Sequence, residues 1–127
     1  MVSVRVCTGT STIRVTWTAD SDSSALSFGR APADEDLDIG SFFEAQPTIE
    51  WRLGADGRPA AAIVRYRVGR SVGKLTESRL VVYRLEPGGR SCIMGDVVEP
   101  QANVKARALS DGLAGDFRCG SSKRVAR

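Results

Sequence analysis

Residues 48–98, TIEWRLGADGRPAAAIVRYRVGRSVGKLTESRLVVYRLEPGGRSCIMGDVV, decide the fold. Residues 48–53 alternate, with Ile49, Trp51 and Leu53 expected inward and Glu50 and Arg52 outward. The Asp56-Gly57 pair is a strong hairpin signal, because glycine adopts the positive φ that tight turns demand. Pro59 opens the next strand, Ala60 to Val68, at a position where its missing N–H is tolerated. There Val64, Tyr66 and Val68 share one face, and Ile63, Arg65 and Arg67 share the other. A third strand spans Arg79–Leu85. Glu86-Pro87-Gly88-Gly89 turns into a fourth at Ser91–Val98. Short β-branched runs joined by tight turns predict a four-strand antiparallel meander.

Toward the carboxy terminus the period changes. Pro100 suits the first helical position, where an N–H would be unpaired anyway. Ala102, Ala106, Leu109 and Leu113 recur at helical spacing as one narrow apolar face, and Lys105, Arg107 and Asp111 fall toward water. The spacing predicts a helix over about residues 100–114, weakening at Gly112 and Gly115. A seven-residue strand and a fourteen-residue helix each span about 20 Å. A helix running back along the last strand therefore returns Cys119 toward Cys92, near enough for a disulfide to be feasible. Residues 121–127, small and basic, are expected to form a flexible tail.

Toward the amino terminus, residues 2–7 and 11–18 alternate as strands around a turn at Thr8-Gly9-Thr10. A polar break, ADSDSS, precedes a short strand near Ala25–Phe28, and residues 29–40 read as loop. Asp34, Asp36 and Asp38 have the spacing of a calcium loop. Ile39 stands where its turn glycine belongs, however, and Ala45 where its bidentate glutamate belongs. A solvated acidic loop is the better reading. The fold class expected is α+β: a mainly antiparallel sheet with one C-terminal helix packed on it, residues 1–120 forming a single domain.

A chain of 127 residues can bury a core without metals. Its formal charge of +3 permits an acidic partner without requiring one. No apolar run approaches membrane-spanning length, and MVSVRVCTGT does not read as a signal peptide. Three cysteines suggest one pair and a leftover, Cys7. A disulfide implies an oxidising compartment; with no export signal in view, three reduced thiols in the cytoplasm are the alternative.

The chain contains no histidine, which removes the commonest general base and the commonest metal ligand. Lys74, Lys105 and Lys123 look exposed, and nothing in the sequence ties together any two of Glu44, Glu50, Asp56 and Asp96 as an acid–base pair. No metal or cofactor is expected, and no enzymatic activity. Cys92 and Cys119 as metal ligands would lack partners, so a structural bridge is preferred. Arg52, Arg65, Arg67, Arg79 and Arg84 sit on neighbouring strands and form a candidate anion-binding patch on an open sheet face. The competing reading is that their stems cover the sheet and pair with Glu50, Glu77 and Glu86. Aromatic residues for base stacking are scarce, which disfavours nucleic acid.

The order of features across residues 47–120 resembles a group of small secreted proteins from alphaproteobacteria: Glu50-Trp51-Arg52, the DGRP turn at 56–59, the cysteine-bearing strand, an alanine-rich helix, and FRCG at 117–120. The resemblance implies export and a Cys92–Cys119 bridge, but no chemistry. The leading expectation is a non-enzymatic periplasmic or secreted protein. It would act as a binding or inhibitor-like module, using its sheet face and loops on an acidic protein or anionic glycan. The alternative is a basic intracellular protein that binds nucleic acid or anions, with reduced cysteines.

Overall fold

In the computed structural model, which describes residues 3–9, 13–20, 22–32, 35–71 and 73–126, the meander is present. Its strands are Phe42–Leu53, Pro59–Gly69, Glu77–Leu85 and Arg90–Val98. With Ser3–Thr8 (β1), Arg14–Ala19 (β2), Ser24–Phe28 (β3) and Ala31–Pro32 (β4) preceding them, they are β5 to β8. All three of their pairings are antiparallel. The turns follow the expected chemistry. Gly54 N–H donates to the Arg58 carbonyl at 2.8 Å, with Gly57 at φ 79°, and Glu86 N–H donates to Arg90 at 2.8 Å across Gly88 and Gly89.

Continuous burial from Leu80 to Leu85 and from Ser91 to Val97 means that these central strands are covered on both faces. One face carries helix α1, Ala102–Leu113, whose Ala102, Ala106 and Leu109 pack on Ala61, Ile63, Leu80, Val82, Met94 and Val97. Alanines bring the helix axis close. Gly95 is required beneath it, because a Cβ there would overlap Leu109 and the Val125 carbonyl. The helix begins two residues later than Pro100, which lies in the preceding turn. Gln101 is its N-cap, in a left-handed conformation.

The other face carries the amino-terminal sheet, ordered β1-β2-β3 and antiparallel throughout. Thr10 of the expected turn between β1 and β2 lies outside the described residues. Val15 and Phe28, with Leu37 and Ile39 of the following segment, seal Ala62, Val64, Tyr66, Val81 and Tyr83 into a second core. Phe28 meets Trp51 and Tyr83 edge-on, at centroid distances of 5.6 and 4.9 Å. The polar break also contributes: Ser23 and Ser24 hydroxyls accept the Phe43 and Ala45 N–H groups at 3.2 and 3.0 Å, capping the edge of β5.

The carboxy terminus corrects the expectation of a flexible tail. Val125–Ala126 (β9) adds in parallel to Gly95 and Asp96 on the outer edge of β8, beside β4 at Arg90 and Ser91. Arg124 anchors it. Its guanidinium donates to the Asp36 and Leu37 carbonyls and lies 3.7 Å from buried Asp96. Asp36 and Leu37 of the acidic loop are therefore held by this contact; Asp34 lies outside the described residues.

Candidate functional site

Cys92 and Cys119 are joined as a disulfide, their Cα atoms 5.6 Å apart and both residues buried, while Cys7 is free and exposed. The bridge ties the segment after α1 to the first residues of β8.

The five arginines expected on one open face are instead dispersed, and neither face of the central strands is open. Strand alternation puts Arg65, Arg67 and Arg84 on the helix-bearing face, and Arg79 on the face under the small sheet. Arg52, expected to face water, reaches the helix. Its Nε and Nη2 donate to the Asp111 carboxylate at 3.1 and 2.6 Å, and Glu50 lies 3.3 Å from Nη1. Arg107 completes the cluster with two bonds to Glu50, at 2.8 and 3.0 Å. The Arg107 and Arg52 guanidinium groups hold the Glu50 carboxyl below its ordinary range, and Arg52 does the same to Asp111. Arg65 binds the Ser78 hydroxyl and faces Glu99 at 3.8 Å, Arg67 donates to the Leu75 carbonyl, and Arg79 pairs with Asp96 at 2.5 Å. Four of the five thus tie the structure together.

Arg84 differs. It is 7% exposed and meets no carboxylate within 4.0 Å among the described residues. Nε donates to the Phe117 carbonyl at 3.2 Å, and Nη1 to those of Ala60 and Leu85 at 3.0 and 2.7 Å. Burial lowers its pKa from the ordinary arginine value, the charge of Glu86 acts in the other direction, and that of Arg118 adds to the lowering.

Arg84 lines a cleft of about 1310 Å³ at one end of the molecule. Meander topology builds this cleft, because the β5–β6 and β7–β8 turns both fall at that end. The first residues of β2, the step after β3 and the end of α1 close its sides. Six arginines line it (Arg14, Arg30, Arg52, Arg58, Arg84 and Arg90) against three carboxylates, Asp56, Glu86 and Asp111. Asp111 is engaged by Arg52, and Asp56 accepts the Arg58 backbone N–H at 3.0 Å. Arg14, Arg30, Arg58 and Arg90 are exposed, and none forms an ion pair with a described residue. Val6 and Leu53, 60% and 62% exposed, add apolar surface, and no aromatic side chain lines the cleft.

The sequence reading missed these four rim arginines. A signal was present: Gly29-Arg30, Gly57-Arg58 and Gly89-Arg90 each put arginine directly after a turn glycine. A smaller cavity of about 330 Å³ lies between β3 and β8, lined by Leu26, Leu37, Tyr83 and Ile93. Glu35 closes it, accepting the Ile93 N–H at 2.7 Å on the β8 edge. Among the described residues no group of acidic and cysteine side chains is placed to hold a metal, and no helix is long and apolar enough to cross a membrane. Comparison with protein-family models, curated proteins and solved structures finds no match to this chain.

Proposed function

We propose that this chain is an exported, disulfide-stapled recognition module that binds an acidic polypeptide segment in the arginine-rimmed cleft. The observation that carries the reading is the charge arrangement. Four exposed arginines on separate elements converge on one concavity without carboxylate partners among the described residues. By contrast, Arg79 and Arg124 pair with Asp96, and Arg107 with Glu50, away from the cleft. Uncompensated positive charge around a cleft steers and orients an anionic partner.

The apolar surface narrows the class of partner. Val6 and Leu53 offer contacts to aliphatic side chains, whereas sugar rings and nucleobases call for aromatic platforms that the cleft lacks. A polypeptide carrying both acidic and aliphatic residues complements both features. Export is supported by the buried disulfide and by the resemblance of residues 47–120 to small secreted proteins.

Two measurements test the reading. Fractionation of native cells with thiol trapping should find Cys92 and Cys119 oxidised and outside the cytoplasm; a reduced cytoplasmic pool would sink the export proposal. A fluorescent peptide of alternating Glu and Leu should bind. Joint substitution of Arg30, Arg58 and Arg90 by alanine should weaken that binding by about tenfold or more. Tighter binding of heparin or single-stranded DNA than of the peptide would overturn the choice of partner.

A further inference from the structure

Resting on that reading, the geometry of Arg84 points to a specific anchor: we propose that its guanidinium is the floor of a carboxylate receptor within the cleft. It would take an Asp or Glu side chain, or a chain-terminal carboxylate, of the bound segment.

The first support is the division of its donors. Guanidinium carries five N–H groups in a rigid plane. The three on Nε and Nη1 are committed to the carbonyls of Phe117, Ala60 and Leu85, which fixes the plane. The Nη2 amino group makes no hydrogen bond to a described residue and is not sealed from solvent. Two oriented donors remain for one planar oxyanion.

Charge is the second support. A buried guanidinium without a carboxylate is costly, and proteins ordinarily pair such a group. Here its hydrogen-bond partners are neutral carbonyls, Glu86 lies beyond ion-pair distance, and Arg118 adds a second positive charge nearby. An arriving carboxylate would therefore meet a preorganised, partly desolvated cation, and such a charge-assisted bond is stronger than one made at an exposed rim. Position is the third. In the strand register Arg52, Ala61, Arg84 and Cys92 form one row across the sheet. Arg52 in that row is already neutralised by Asp111 and Glu50, which leaves Arg84 as the row's unpaired charge.

The test uses the full chain and three forms of the Glu–Leu peptide: free carboxy terminus, amidated, and Gln replacing Glu. Nitrogen-15 NMR of the arginine side chains should show the Arg84 Nε and Nη signals shifting on titration. Arg84→Lys, checked for a retained melting transition, should weaken binding about tenfold or more, because lysine keeps the charge but loses the oriented pair of donors. Loss of the Arg84 shift on amidation assigns the receptor to a terminal carboxylate; loss on Glu→Gln replacement assigns it to an acidic side chain. If Arg30, Arg58 and Arg90 respond while Arg84 stays silent, the receptor is refuted and rim recognition stands. If no form of the peptide binds, both fall.

Discussion

Ser110 shows how a single side chain separates packing from recognition. It is 1% exposed in α1, and its Oγ has no hydrogen-bond partner among the described residues. A buried, unsatisfied hydroxyl costs roughly 1–3 kcal/mol. Ser110→Ala is therefore expected to raise the unfolding free energy by about 1 kcal/mol, read from urea melts; a loss of stability would show that Oγ has a partner. Arg84 is the contrasting case, since its donors are mostly satisfied while its charge is not. Neither property is legible in the sequence, because both depend on which carbonyls and carboxylates the fold brings near. The rim arginines were partly legible through their Gly-Arg steps. Gly69-Arg70 is a fourth such step, and it falls at the opposite end of the meander, between β6 and β7.

At the scale of elements, α1 is strapped to the sheet in two places. The Glu50, Arg52, Arg107 and Asp111 cluster ties its exposed side to β5, and the disulfide ties the chain just beyond it to β8. Closing a loop of this length stabilises a fold by about 3–4 kcal/mol on chain-entropy grounds. Replacing both Cys92 and Cys119 by alanine should lower the unfolding free energy by about that amount in denaturant melts. An unchanged midpoint would mean that the bridge adds nothing to stability. The helix face, the four long strands and their turns were legible because each rests on local periodicity and turn chemistry. The cluster was not: Glu50 and Arg52 alternate outward from Trp51, and only the return of α1 over that face converts them from solvent residues into helix contacts.

At the scale of the whole molecule, the large sheet lies between a helix and a second sheet, and the chain's two tyrosines are both enclosed. The Tyr66 and Tyr83 hydroxyls are 2.6 Å apart, and the Leu26 N–H donates to Tyr66 at 2.9 Å. Burial raises both phenol pKa values, that of Tyr83 well above its ordinary range. The unfolded chain then loses these protons first, near pH 10. Stability from this pair is thus fully present below about pH 10 and is lost as pH rises beyond it. Absorbance at 295 nm should show no phenolate in the folded protein at pH 10, and alkaline unfolding should be delayed in Tyr83→Phe. Ionisation of either tyrosine near pH 10 in the folded state would contradict the enclosed pair.

By itself the sequence determined the α+β class, the antiparallel order of β5 to β8, the apolar stripe of α1 and the absence of histidine chemistry. Those properties follow from near neighbours in the chain, from periodicity, turn glycines and composition. Only the tertiary structure decided that Val15, Phe28, Leu37 and Ile39 cover the second face, that β9 is pinned to β8, and that four arginines of the expected patch serve as ties. It also decided which three Gly-Arg steps gather at one cleft above Arg84. The physical reason is that a charge's role depends on its partners, and these partners come from distant parts of the chain: Asp111 for Arg52, Phe117 for Arg84, Asp36 for Arg124.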